Sequence, residues 1–128
     1  DGVLKESREA GQTLAFRVMC CSTSPRQPYH PKWLQDISGA IITTRHGDSP
    51  QLEVPVLDEP SVLESHLDFI KRLGARYDGH PDIDHIDLGS VGWWGEWHMS
   101  QSTNAPMPTL ETQRKIVDVR GTGPRLRR

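Results

Sequence analysis

The residues best suited to chemistry lie together in one short segment, Trp93-Trp94-Gly95-Glu96-Trp97-His98. A carboxyl group among indole rings is poorly solvated, and poor solvation favours the protonated form that a general acid must supply. Indole rings also offer flat faces, each with a polar N–H at its edge, that suit the apolar face of a sugar. The segment therefore predicts Glu96 as a proton donor and its tryptophans as a carbohydrate-binding surface.

A second interpretation of this segment is purely structural. The tryptophans would then belong to the core, and Glu96 would pair with an arginine or a lysine. The segment follows residues 84–92, whose alternation through Ile86 and Leu88 predicts a β-strand. Active sites on parallel sheets lie at the carboxyl ends of strands, which favours the functional interpretation.

Two strands and two helices are predicted to position the segment. Residues 13–21 alternate, with four apolar residues on one face and Arg17 as the single charge on the other. Helical periodicity extends over residues 58–77, and Ser61-Val62-Leu63-Glu64 matches a capping box. A further helix begins near Thr109. The order strand, helix, strand, helix predicts a parallel sheet with crossover helices.

Further local expectations follow from the same patterns. The pattern of residues 3–11 predicts the end of a helix. Residues 37–59 show no clear hydrophobic period, apart from a short strand predicted at 40–42. His66 falls within the apolar stripe of its helix, which predicts a packed histidine. Arg17 and Asp87 are lone charges on strands expected to be neighbours, so we expect them to approach each other.

Length and charge limit the function classes. The chain has 128 residues, which is long enough for one small domain, predicted over residues 1–119. Its net charge is −2. Residues 120–128 contain four arginines and predict a disordered or non-native basic tail, while the more acidic remainder argues against nucleic-acid binding. No apolar run could span a membrane, and no signal-type segment begins the chain. The adjacent Cys20 and Cys21 lack metal-ligand spacing and are predicted as core residues.

The central segment carries a family resemblance. Residues 86–98, preceded by Ala75-Arg76-Tyr77-Asp78-Gly79-His80-Pro81, resemble β-galactosidase-like (β/α)8 barrels related to a large clan of retaining glycoside hydrolases. They are most similar to uncharacterised bacterial barrels with a Gly-x-Trp-Gly-Glu-Trp-His signature. Residues 14–19 resemble the third barrel strand, and Pro31-Lys32-Trp33-Leu34 resembles part of the loop after it. The resemblance implies an α/β fold, a partial TIM (β/α)8 barrel of two to three βα units around strands 3 and 4.

The resemblance also implies a function and a set of site residues. It puts Glu96 at the end of the fourth strand, where the clan has its acid/base glutamate, and it implies a carbohydrate substrate or ligand. Gly95 stands where the clan usually has asparagine. The resemblance implies neither a metal nor a cofactor, and neither a membrane nor a nucleic acid as partner. The implied sugar contacts are Arg17, Trp33, Trp93, Trp94, Trp97 and His98.

Three functions remain open from the sequence. The chain is expected to carry the acid/base half of a glycoside hydrolase, with the remainder of the barrel, including the nucleophile on a seventh strand, outside it. A non-catalytic carbohydrate-binding barrel and a truncated gene product without activity are the alternatives. Asp87 is not expected to supply the second carboxyl group, because nine extended residues separate it from Glu96 by roughly 30 Å. A secreted or periplasmic parent is compatible with the resemblance, although the chain shows no signal peptide.

Overall fold

The computed structural model describes residues 2–24 and 28–119 and has a mixed α/β fold. The basic tail predicted at 120–128 lies outside the described residues. A short 3-10 helix, Lys32–Asp36, begins directly after Pro31, which is its extended N-cap residue. A second one, Trp93–Gly95, belongs to the candidate site. The regular elements are α1 (Gly2–Glu9), β1 (Leu14–Arg17), β2 (Ile41–Thr44), β3 (Leu52–Pro55), α2 (Pro60–Tyr77), β4 (Ile83–Asp87) and α3 (Leu110–Asp118).

The parallel pairing expected from the strand and helix order is confirmed. Strands β1 and β4 form a two-stranded parallel sheet, in which Phe16 is opposite Ile86 and Arg17 is opposite Asp87. Both strands are shorter than the predicted ranges 13–21 and 84–92. Pairing ends at Asp87 because the chain turns there, with the Gly89 amide donating to the Asp87 carbonyl at 2.9 Å. The turn brings the next residues back towards β1.

A second sheet lies where the sequence shows little period. Strands β2 and β3 pair antiparallel, with Thr44 opposite Leu52. The short strand predicted at 40–42 corresponds to β2, but the absence of structure expected over the rest of 37–59 is wrong. Pro50 precedes β3 and Pro55 ends it, so the prolines mark its limits rather than exclude it. Leu52 and Val54 alternate into the core, which is the pattern of a half-buried strand.

Helix α2 is confirmed, but its capping differs from the expected capping box. Glu59, not Ser61, is the N-cap, and its Oε2 accepts from the Val62 amide at 2.9 Å and from the Ser61 hydroxyl at 2.6 Å. Pro60 then occupies the first turn, where its missing N–H costs nothing. The two hydrogen bonds, that of Ser61 first, lower the pKa of Glu59. Glu64 is exposed and has no part in the cap.

Two hydrophobic clusters hold these elements together. The larger one joins α2 and α3 to the segment after β4, and the smaller one joins β3 to Cys21 and Trp93. Both cysteines are unpaired, and desolvation raises the pKa of Cys20 to about 11 and that of Cys21 to about 12, so both thiols stay protonated at neutral pH. The predicted core role is confirmed for Cys21, which is buried in the smaller cluster, whereas Cys20 is only partly buried. The buried members of the larger cluster are Leu34, Ala40, Leu57, Val62, Leu63, Ile70, Val91 and Ile116.

His66 is packed, as its place in the helical stripe predicts. The residue is 9% exposed, and its Nε2 atom is buried without a hydrogen-bond partner. Burial lowers the pKa of His66 to about 4, so the imidazole is neutral at physiological pH. A buried polar atom without a partner costs about 1–3 kcal/mol of stability.

We expect His66 to make the protein less stable in mild acid. Between the unfolded pKa of 6.5 and the folded pKa of about 4, the unfolded chain binds a proton that the folded chain does not. The free energy of unfolding therefore falls by up to about 3 kcal/mol as the pH drops across this interval. Urea unfolding between pH 7 and pH 4 measures the fall. His66→Leu should remove most of it.

The control for this experiment is His85→Leu, since the His85 side chain is more than half exposed. Three carboxylates have pKa values lowered mainly by a side-chain hydrogen bond. The donor is Ser61 for Glu59, Arg8 for Asp82 and Lys115 for Glu111. Their stabilisation is present above their unfolded pKa values, 4.5 for Glu59 and Glu111 and 3.8 for Asp82, and it is lost as the pH falls below those values. The fall between pH 7 and pH 5 therefore reports on His66 rather than on these carboxylates. An unchanged pH dependence in His66→Leu would contradict the assignment.

Candidate functional site

The segment after β4 folds back on itself at the carboxyl end of the β1–β4 pair. The Trp97 amide donates to the Val91 carbonyl, and the Trp93 amide donates to the His98 carbonyl, each at 2.9 Å. Trp94 and Trp97 have φ angles of 52° and 56°, a left-handed conformation that is uncommon for bulky residues. The reversed backbone carries Glu96 back towards β1.

Three glycines permit this reversal because the chain passes very close to itself. A Cβ atom on Gly89 would lie 2.0 Å from Arg17 Cγ, and one on Gly92 would lie 2.4 Å from the His98 carbonyl oxygen. A Cβ on Gly95 would lie 2.0 Å from the Gly89 carbonyl oxygen. The spacing of a glycine every third residue is the sequence signal of this compact turn. Gly95 is therefore required by the local packing.

Arg17 is the centre of a charged cluster at this end of the sheet. Its Nη2 donates to Asp87 Oδ2 at 2.9 Å, and its Nη1 donates to the Trp94 carbonyl at 3.1 Å. The same Nη1 lies 3.9 Å from Glu96 Oε1. His98 Nε2 approaches Glu96 from the other side, 3.6 Å from Oε2. The predicted approach of Arg17 and Asp87 is confirmed.

Asp87 and Glu96 are much closer than the sequence suggests. The expectation of roughly 30 Å assumed an extended chain, whereas the chain turns after Asp87 and both carboxylates contact one guanidinium. The expected separation is therefore wrong, and Asp87 belongs to the cluster. The turn residues Gly89 and Gly92 were the signal for this proximity. Alternation alone cannot reveal it.

The environment of Glu96 also differs from the one expected. Its side chain is 55% exposed, so the carboxylate faces solvent and charged neighbours rather than a shell of indoles. Trp93 is fully buried, and its Nε1 donates to the Ser102 hydroxyl at 2.9 Å. Trp97 packs against the larger cluster and donates from Nε1 to the Leu88 carbonyl. The structure assigns Trp93 to the core rather than to a surface that could contact a sugar.

Trp94 lies beside the Arg17 cluster. It is partly buried against the smaller hydrophobic cluster, and its ring centre lies 5.9 Å from that of His98 and 5.3 Å from that of His46. His46, on the loop between β2 and β3, was not singled out from the sequence and also contacts Trp93. No spacing rule connects it to residues 93–98, because the β2–β3 sheet brings it there.

Trp33 lies elsewhere. It is 47% exposed on the first 3-10 helix and lines a cavity against α2, together with His66 and Phe69. None of the residues of the Arg17 cluster lines this cavity in the described part of the chain. The structure thus groups Arg17, Trp94 and His98 around Glu96 and separates Trp33 from them.

Within residues 2–24 and 28–119, no group of three or more His, Cys, Asp or Glu side chains could hold a metal ion. Of the helices described, none is both long and apolar enough to cross a membrane. Comparison of the chain with protein-family models, with curated proteins and with solved structures found no match.

Proposed function

We propose that the chain is part of a glycoside-hydrolase-like (β/α)8 barrel and carries the acid/base half of its carbohydrate site. In this proposal β1 and β4 are the third and fourth barrel strands, and Glu96 is the acid/base residue. The observation that carries the proposal is the exposed Glu96 carboxylate at the carboxyl end of a parallel strand pair, between Arg17 and His98. This edge of a parallel sheet is where such sites are built.

The chemistry of the cluster supports a sugar ligand. Asp87 and Glu96 offer carboxylate acceptors for hydroxyl groups, and Arg17 and His98 offer donors. The partly buried Trp94 adds an aromatic face within the same group. Sugars are recognised by this combination of in-plane hydrogen bonds and ring stacking. Retaining hydrolysis needs a second carboxyl group about 5–5.5 Å from the first, which the proposal expects on another barrel strand.

A non-catalytic carbohydrate-binding barrel is the second candidate, and Gly95 favours it. The clan that the sequence resembles usually has asparagine at this position, and the asparagine contacts the sugar 2-OH. A Cβ atom at Gly95 would overlap the Gly89 carbonyl, so no side chain fits there in this backbone. The sugar contact that supports catalysis in the clan is thus replaced by a close packing of two backbone segments.

The two candidates predict different results for Glu96→Gln, which keeps the shape and removes the ionisable group. We measure turnover of a panel of aryl glycosides and binding of the matching free sugars, in a complete barrel that contains this chain. An acid/base role predicts a loss of turnover of about 10²- to 10⁴-fold with sugar binding retained. Glu64→Gln, on the exposed side of α2, is the matched control.

Each outcome decides between the candidates. Turnover by the parent protein that survives Glu96→Gln would exclude the acid/base role. Sugar binding without turnover in the parent would support the binding barrel. A parent that neither binds nor hydrolyses any member of the panel would contradict both candidates.

A further inference from the structure

His98 contacts Glu96 with one ring nitrogen and Ser100 with the other. Its Nε2 atom lies 3.6 Å from Glu96 Oε2. Its Nδ1 atom accepts from the Ser100 amide at 3.3 Å and lies 2.7 Å from the Ser100 hydroxyl oxygen. A neutral imidazole carries a proton on only one of these two nitrogens. The partner of Nδ1 therefore decides what Nε2 presents to Glu96.

The Ser100 amide selects one of the two tautomers. A hydroxyl group can donate or accept and would suit either tautomer, but a backbone N–H group can only donate. Because the amide donates to Nδ1, the proton of the neutral imidazole is on Nε2. In this tautomer His98 faces the Glu96 carboxyl group with an N–H group and not with a lone pair.

Both partners of this hydrogen bond are held by the fold. The imidazole of His98 packs against the indole of Trp94, and the two ring centres are 5.9 Å apart. Ser100 lies in a β-turn that is closed by the Ser102 amide, which donates to the Met99 carbonyl at 3.2 Å. The donor and the ring that it orients are thus fixed before any sugar binds.

We propose that Ser100 is a positioning residue, whose backbone amide holds His98 as the Nε2–H tautomer and so makes the imidazole a hydrogen-bond donor to Glu96. The inference deepens the proposed acid/base function and rests on it for the use made of this donor. The separation of 3.6 Å is longer than a hydrogen bond. Contacts between catalytic groups are often long without substrate and shorten in the complex.

The tautomer matters because Glu96 must keep its proton until the glycosidic oxygen receives it. An N–H group can donate to an ionised carboxylate and also to the carbonyl oxygen of a protonated carboxyl group. It therefore orients Glu96 in both halves of an acid/base reaction. The other tautomer would face Glu96 with a basic lone pair, which would compete with the glycosidic oxygen for the proton of the acid.

The tautomer can be measured without any sugar, by NMR of the imidazole nitrogens in the whole chain. The spectrum is recorded at about pH 9, where histidine side chains are ordinarily neutral. We expect a protonated Nε2 and an unprotonated Nδ1 for His98, whereas a histidine without a fixed partner exchanges between both tautomers and gives averaged signals. His30 provides the internal contrast. Its Nδ1 lies 3.2 Å from the Pro31 carbonyl oxygen, which can only accept, so that nitrogen should carry a proton.

Ser100→Pro is the decisive variant because the turn can accept it. Ser100 is the second residue of the turn, and the third residue, Gln101, has a φ angle of 62°. This is the pattern of a type II turn, in which proline is common at the second position. Proline removes the amide N–H group, so we expect averaged His98 signals. Ser100→Ala is the matched control, since it keeps the amide and should keep the single tautomer.

Turnover in the complete barrel reports on the use of the tautomer. Ser100→Pro should lower kcat for aryl glycosides about 10-fold, which is less than the loss of about 10²- to 10⁴-fold expected for Glu96→Gln. Ser100→Ala should lose less than Ser100→Pro. His98→Gln, whose side-chain amide can still donate, should retain more turnover than His98→Ala. Glu64→Gln is again the control outside the site.

Three results would overturn the proposal. The first is a protonated Nδ1, or averaged signals, for His98 in the wild-type chain, a measurement that needs no variant to fold. The second is a single Nε2–H tautomer that persists in Ser100→Pro. The third is unchanged kcat in Ser100→Pro although its His98 signals are averaged. Failure of the acid/base role is distinct from these, because it appears as turnover that survives Glu96→Gln while the wild-type tautomer is still Nε2–H.

Discussion

Replacing Gly95 with asparagine is expected to destabilise the protein by about 3 kcal/mol or more. Asparagine is the usual residue at this position in the glycoside hydrolase clan that the sequence resembles. Gly95 has a φ angle of 72°, and a Cβ atom there would lie 2.0 Å from the Gly89 carbonyl oxygen. That oxygen belongs to the backbone and cannot rotate away like a side chain. The turn must therefore open, and the hydrogen bonds that close residues 91–98 must break with it. Urea unfolding measures the loss.

Gly79→Asn is the matched control for the backbone conformation. Gly79 has a φ angle of 70°, but a Cβ atom there meets nothing within 4 Å. Asparagine tolerates the left-handed region, so this substitution should cost about 1 kcal/mol or less. Equal effects of the two substitutions would show that conformation alone, and not the close approach at Gly89, determines the cost. A stable Gly95→Asn protein would contradict the tight turn.

The Gly95 result also bears on the proposed function. If the variant opens the turn, Arg17 and Glu96 lose the geometry that brings them within 3.9 Å, because Glu96 is the next residue. Loss of sugar binding in Gly95→Asn would then follow from loss of the turn. The variant must therefore be compared with Glu96→Gln, which leaves the backbone intact. Only the second substitution reports on the carboxylate itself.

The regular elements could be predicted where one period dominates. Helix α2 has a stripe of apolar residues over five turns, and the segments of β1 and β4 each alternate, so their types and parallel pairing follow from the sequence. Strand β3 has only four residues, the last of them Pro55, which are too few for a period to be recognised. The predicted N-cap of α2, Ser61, lies two residues after the observed one because serine is a favoured N-cap residue and glutamate is not. Propensity at single positions therefore favours the wrong residue here, while Pro60 at the first helical position fixes the start at Glu59.

The candidate site was predictable in part. Arg17 and Asp87 could be paired because strand register brings lone charges together. The environment of Glu96 could not be predicted, since it depends on the direction in which residues 88–98 turn. The sequence offers three tryptophans around one glutamate, but the turn sends one indole fully into the core and leaves the carboxylate in solvent. Composition near a residue is therefore a weak guide to its solvation when left-handed turns intervene.

Trp93→Ala is expected to destabilise the protein by about 3–5 kcal/mol. Trp93 is 0% exposed and packs with Cys21, Leu52 and Val54, so alanine leaves a large cavity between the β2–β3 sheet and the segment after β4. The Ser102 hydroxyl also loses the indole N–H that donates to it. Trp93→Phe keeps most of the packing and should cost less. Urea unfolding at neutral pH compares the two substitutions.

Trp33→Ala and Trp94→Ala provide the comparison that gives this prediction its functional meaning. Trp33 is 47% exposed and Trp94 is partly buried, so both substitutions should cost much less stability than Trp93→Ala. If Trp94 lies in the sugar site, Trp94→Ala weakens sugar binding while the protein stays folded. Trp93→Ala should weaken it only in proportion to the unfolded fraction. A folded, stable Trp93→Ala protein with weakened sugar binding would indicate that Trp93 contacts the sugar, and it would contradict the place of Trp93 in the core.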